Sequence, residues 1–194
     1  MQKKKINDKT MSRQQSATRI KYLICIAIVC VEFFIGCSTR KMSNNTVMRG
    51  FDEKKQQEML LGTIFREDLH DAPYQWMDST FNAYAPDTTL LPALALKMKD
   101  VKIEIILGTW CSDSREQVPR LYKILSAIQY PVETIALYCV DRTKMFPPGL
   151  PQEKNVSAIP TIYFYKKDGT EIGNLVEKPE TTLEQDMLQI LSLK

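Results

Sequence analysis

Residues 101–119 read VKIEIILGTWCSDSREQVP, and this stretch decides the fold. Val101, Ile103, Ile105, Ile106 and Leu107 form an apolar run that predicts a mostly buried strand, which Gly108 and Thr109 end. From Ser112 onward Val118, Leu121, Tyr122, Leu125 and Ile128 recur at helical spacing, so Cys111 falls at the N-terminus of a helix that leaves a strand. A thiol gains reactivity there. Unpaired backbone N–H groups and the positive end of the helix dipole stabilise a thiolate more than a thiol.

Downstream, Val132 to Val140 is rich in β-branched and aromatic residues and predicts a second strand. A strand, a helix and a strand of these lengths make a βαβ unit, so the two strands should run parallel through a right-handed crossover. Residues 145–151, MFPPGLP, hold three prolines and a glycine and cannot be regular helix. They follow the end of the second strand, where α/β sheets place their sites. A final helix is expected from Thr181, with Glu184 completing a capping box and Leu183, Met187 and Ile190 facing the sheet. Upstream, a short strand over 61–65 precedes helical stretches over 73–84 and 88–98, the second capped by Asp87 or Thr88. Trp76, Phe81 and Tyr84 are spaced to face one way as core packing. His70 is the only histidine, and with no second histidine and no cysteine nearby it builds no zinc site; no metal or cofactor is expected.

A strand followed by Trp110-Cys111-Ser112-Asp113-Ser114, with Pro119 five residues beyond, resembles the active site of thioredoxin-fold proteins. Ile159-Pro160-Thr161 resembles the family's cis-proline segment, which lies against the active cysteine and presents backbone to an extended substrate. Residues 163–165, the Lys167-Asp168-Gly169-Thr170 turn and residues 172–176 resemble its closing hairpin. The resemblance, over roughly 61–193, implies an α/β thioredoxin-like fold: a central mixed β-sheet flanked by helices on both faces. It also implies that Cys111 is catalytic and that Trp110, Ile159, Pro160 and Thr161 bind substrate. Ser114 stands where the family has its second cysteine, and Ile105 stands where the family has a buried acid. A hydroxyl is no nucleophile toward sulfur at neutral pH, so Cys111 would have to work as a single thiol, with Ser114 beside it. Disulfide shuffling, removal of glutathione-like adducts and capture of a sulfenic acid remain open to such a thiol. Ser112 and Ser114 hydroxyls favour its thiolate, Asp113 opposes it, and Arg115 and Glu116 read as solvated. Cys139 reads as a small buried hydrophobe, with a disulfide to Cys111 as the alternative.

The N-terminus explains the charge. Of 26 Lys/Arg and 23 Asp/Glu, residues 1–37 hold seven and two, so 19 basic and 21 acidic residues remain and nothing suggests nucleic acid. The basic leader runs into an apolar stretch, Tyr22 to Gly36, interrupted by Glu32 and about the length of a signal-peptide core. Its end, Phe34-Ile35-Gly36-Cys37, resembles the lipobox of bacterial lipoproteins, which implies cleavage before Cys37 and lipid on that cysteine. Residues 1–36 are then a signal peptide, 37–57 a polar, lipid-anchored tether whose charges face solvent, and 58–194 the folded domain. The alternative is an uncleaved N-terminal anchor. Either arrangement places the domain outside the cytoplasm, in a bacterial cell envelope, with the membrane and envelope protein thiols or disulfides as partners. A non-catalytic binding or adaptor module of the same fold is the alternative function.

Overall fold

The computed structural model describes residues 47–145 and 156–193; the leader, Cys37 and most of the 145–151 loop lie outside the described residues. Six strands form one sheet: β1 (Met48–Asp52), β2 (Gln57–Ile64), β3 (Val101–Leu107), β4 (Ala136–Cys139), β5 (Thr161–Lys166) and β6 (Glu171–Val176). Among the described residues four helices accompany them: α1 (Trp76–Ala83), α2 (Leu91–Lys97), α3 (Ser112–Ala127) and α4 (Leu183–Leu191). The spatial order is β1-β2-β4-β3-β5-β6, with β3 at the heart of the sheet. β3 pairs parallel with β4, as the βαβ reading requires, and antiparallel with β5. The mixed sheet and the thioredoxin-like arrangement follow the sequence closely from β3 onward.

Strand parity places the core. Val101, Ile103, Ile105 and Leu107 point to one face, are at most 5 % exposed, and pack with Met77, Leu94, Val118, Leu121, Leu183 and Met187. Those partners come from all four helices. On the opposite face Ile106 joins Val140 and Ile159 in a small separate cluster that contains no helical residue. Among the described residues, therefore, the helices cover one face of the sheet, not both as expected. The layout has a physical reason: both helices before β3 pack beside the helices that follow it, α1 against α3 and α2 against α4.

Four boundaries differ from expectation. The hairpin β1–β2 occupies 48–64, so the second half of the expected tether is a paired strand and a tight turn, with Gln56 at φ 50°. α1 starts only at Trp76, because Asp71 to Tyr74 form a turn around a cis Ala72–Pro73 bond. The strand expected from Val132 begins at Ala136; Pro131 supplies no backbone donor, and 132–134 make a single 3-10 turn instead. Asp87 spends its carboxylate on the N–H and hydroxyl of Thr89, so it closes its own turn and Leu90 caps α2.

At the last helix the cap is Thr182, whose hydroxyl accepts from Gln185 N–H at 3.2 Å. Glu184 does not complete a capping box. Its carboxylate, 1 % exposed, accepts from the Tyr84 hydroxyl at 2.9 Å and from Asp87 N–H at 3.2 Å. It thus ties the helix that ends the chain to the turn between α1 and α2, and burial with this carboxylate pushes the Tyr84 hydroxyl up to about 12. The aromatic stripe of α1 packs half-buried on the core, as expected, and also carries cations. Arg66 and Lys123 lie over Phe81, and Arg120 lies over Tyr84. His70 turns its Nδ1 to Asp78 at 2.6 Å.

Candidate functional site

Cys111 is the N-cap of α3, with an extended backbone (φ −85°, ψ 130°), and its thiol is half-buried. The chain arrives there by leaving β3 through Gly108 and Thr109. Cys111 N–H closes a turn onto Gly108 O at 2.9 Å, and Thr109 is fully buried, its hydroxyl accepting from Leu60 N–H at 3.1 Å. The helix begins at the next residue, with Pro119 in its interior and Pro119 itself buried.

The cis-proline segment meets this turn. Ile159–Pro160 is cis, and the Cys111 thiol donates to Ile159 O at 3.4 Å. Trp110 and Cys111 both pack on the cluster of Ile106, Val140 and Ile159. The Trp110 indole N–H donates to Val140 O at 3.0 Å, which fixes its ring beside the sulfur. Thr161 is buried and donates its hydroxyl to Ala158 O at 2.7 Å, so its side chain braces the proline turn from within. Trp110, Cys111, Ile159 and Pro160 are thus gathered in one place. Ser114 is not open to solvent: it is fully buried, and its Oγ accepts from Gly108 N–H at 3.2 Å. Ile105, at the position of the family's acid, is a fully buried core residue.

Of the remaining cysteines, Cys139 is free and fully buried on the helical face, and burial pushes its thiol well above the usual range. Cys111 is also free, so no disulfide joins the two. The reading of Cys139 as a buried hydrophobe agrees with this. Among the described residues, no group of three His, Cys, Asp or Glu stands together to hold a metal ion, and no helix is long and apolar enough to cross a membrane.

Three residues around the thiol escaped the sequence reading. Arg115, expected in solvent, folds back so that its Nε donates to Thr109 O at 2.6 Å, and its guanidinium lies 5.9 Å from the Trp76 ring centroid. Desolvation pulls its pKa down, opposed by Asp52, Cys111 and Tyr74. Arg142 lies 4.6 Å over the Trp110 ring and donates from Nε and Nη2 to the two carboxylate oxygens of Asp52, at 2.6 and 2.8 Å. The Asp52 side chain has no exposed surface. The Arg142 guanidinium holds its carboxyl below the usual carboxylate range, burial opposing. The pair joins residues 90 positions apart, and no local pattern announces it. The one available signal was Arg142 itself, immediately past the C-terminal end of the second strand, where sites are placed.

Two solved structures are similar to the chain. One is a protein of unknown function from Pseudomonas aeruginosa, 15 % identical, with a TM-score of 0.39 over 61 % of this chain and 79 % of that one. The other is an HIV epitope scaffold, 14 % identical, with a TM-score of 0.40 over the same shares. No curated protein matches the chain. A family model described as thioredoxin matches residues 65–189, a span that holds the Trp110-Cys111 turn, the cis proline and the closing hairpin. The chain belongs to the thioredoxin family.

Proposed function

We propose that this protein exchanges thiols and disulfides outside the cytoplasm through the single thiol of Cys111. One observation carries the reading: a half-exposed cysteine caps α3 beside a cis proline, and no second thiol stands in its motif. Thiolate at that position attacks one sulfur of a substrate disulfide. The new Cys111–substrate bond forms as the old S–S bond breaks, and the electron pair leaves on the departing thiolate. Ser114 cannot resolve this intermediate. A second thiol, from the substrate or from a separate thiol reductant, attacks the substrate sulfur, releases Cys111 and leaves as the new disulfide. Ile159 O and Pro160 hold the substrate backbone at the sulfur.

The trapping experiment is direct. Thiols in the native host are quenched with acid, and wild type and Cys111→Ala are compared on non-reducing gels, with shifted bands identified by mass spectrometry. Adducts present in wild type and lost in the variant are expected. No adduct under resting or oxidising conditions would sink the exchange reading in favour of a binding or adaptor module.

The location belongs to the same proposal. Residues 1–36 act as a signal peptide, Cys37 becomes the mature N-terminus and carries lipid, and the chain is held on an envelope membrane. Each buried CH₂ of the lipid contributes about 0.8 kcal/mol, and two or more chains anchor stably. Intact mass of the membrane-extracted protein is expected to correspond to a lipidated chain from Cys37; a mass that retains residues 1–36 would show an uncleaved anchor instead.

A further inference from the structure

The charge around Cys111 is not fully spent on partners. Arg115 lies one helical turn beyond the cysteine, its N–H bonded to Cys111 O at 3.1 Å. Its Nε serves Thr109 O, but its Nη2 is buried and meets no acceptor among the described residues. A buried guanidinium donor without an acceptor is costly, and its field is poorly screened in that setting. On the other side of the turn, Arg142 gives Nε and Nη2 to Asp52 while about a third of its side chain stays exposed over Trp110. Two of the nearby acids have cationic partners, Asp52 in Arg142 and Asp113 in Lys178 at 3.4 Å, while Asp141 accepts only from the neutral N–H and hydroxyl of Thr143 and keeps its charge. Both guanidiniums interact electrostatically with the Cys111 sulfur.

We propose that Arg115 and Arg142 make Cys111 selective for disulfide substrates that carry a carboxylate next to the sulfur under attack. Arg115 supplies a positive field from a partly buried guanidinium whose Nη2 has no acceptor among the described residues, and the exposed edge of Arg142 supplies the contact, since a guanidinium fork matches a carboxylate and a plain disulfide offers it no comparable acceptor. Arg115 acts here as a specificity residue through its field. The inference deepens the monothiol reading and rests on it.

Alkylation of the purified full chain in detergent tests it without turnover. Iodoacetate and iodoacetamide undergo the same step, in which the thiolate forms a C–S bond and iodide leaves, but only iodoacetate is anionic. Rates are followed on the Cys111 peptide by mass spectrometry, with 2-mercaptoethanol giving the intrinsic rate ratio of the two reagents. At low salt, Cys111 is expected to favour iodoacetate by about threefold or more over that reference. The preference should shrink as ionic strength rises. Arg115→Gln should lose most of it, and Arg115→Lys should keep most of it, a rescue that a purely structural arginine would not produce. A ratio equal to the reference, or one that ignores salt, overturns the inference in the unmodified protein, and an unchanged ratio in Arg115→Gln overturns the role of Arg115. Trapped adducts with a flat ratio would leave the exchange reading standing and this inference overturned; an iodoacetate preference without adducts would overturn the exchange reading and keep the anion-selective site.

Discussion

A chain carrying Ser114→Cys is expected to catalyse the reduction of protein disulfides by dithiothreitol, which the unmodified chain should do at least tenfold more slowly. Position 114 lies three residues beyond the N-cap, so the two Cα atoms stand about 5 Å apart across one helical turn, within the range a disulfide accepts. The second thiol could then attack the mixed disulfide at Cys111 intramolecularly, and the effective concentration gained by that proximity is what a single-thiol site lacks. The cost is local. Gly108 N–H now meets the Ser114 hydroxyl at 3.2 Å, and sulfur is a weaker acceptor, so about 1 kcal/mol of stability should go. Turnover of a protein disulfide, read by the loss of its reduced product from solution, decides the matter. No gain in rate, with the 111–114 disulfide nevertheless formed, would mean that the groove around Cys111 no longer accepts a protein substrate.

The second large effect is at Gly108. A methyl group there would lie 2.7 Å from Ile159 Cδ1 and 2.8 Å from Trp110 Cε2 and Nε1, closer than carbon atoms approach in folded proteins. None of these neighbours can yield freely. Ile159 is 3 % exposed and its carbonyl faces the Cys111 thiol, while the Trp110 indole is held by Val140 O. Gly108→Ala must therefore push apart the two walls between which the thiol sits. Overpacking of this kind costs about 1–3 kcal/mol, and a displacement of the reacting group by about 1 Å can slow reaction by roughly a hundredfold. Urea denaturation should show the first loss, and the rate at which Cys111 forms a mixed disulfide with a small aromatic disulfide the second. A variant that reacts at the wild-type rate would mean that the Ile159 carbonyl and the Trp110 ring do not set the thiol's reactivity.

What was legible in the sequence was what local periodicity encodes. The apolar run of β3, the helical spacing after Cys111 and the Asp168-Gly169 turn each repeat within a few residues, and each formed where expected. The cis proline was legible through family resemblance. Of the β1–β2 hairpin only the end of β2 was legible, as the short strand over 61–65; β1 and the turn were not, because Asp52-Glu53-Lys54-Lys55 reads as a solvated charged run. Asp52 looks like one charge in a solvated run until Arg142, 90 residues on, closes over it. Arg115 was misread for a related reason. A charged residue in the first turns of a helix is ordinarily solvated, and only the Thr109 carbonyl and the Trp76 ring, both set by tertiary packing, draw its guanidinium inward. The helix arrangement on one sheet face was illegible because element order alone does not fix the side on which a helix lands.

The Asp52–Arg142 pair bears on where this domain can be cut. A truncation that begins where the family match begins, at residue 65, discards both strands of the hairpin. It leaves Arg142 above Trp110 with no counter-charge and strips β4 of the neighbour that pairs with it along 62–64. The freed backbone of β4 becomes an open margin able to recruit another chain, so the shortened protein should be prone to self-association. A fragment that keeps the hairpin has to include Met48, and one trimmed to the matched residues 65–189 is a poor vehicle for assaying Cys111.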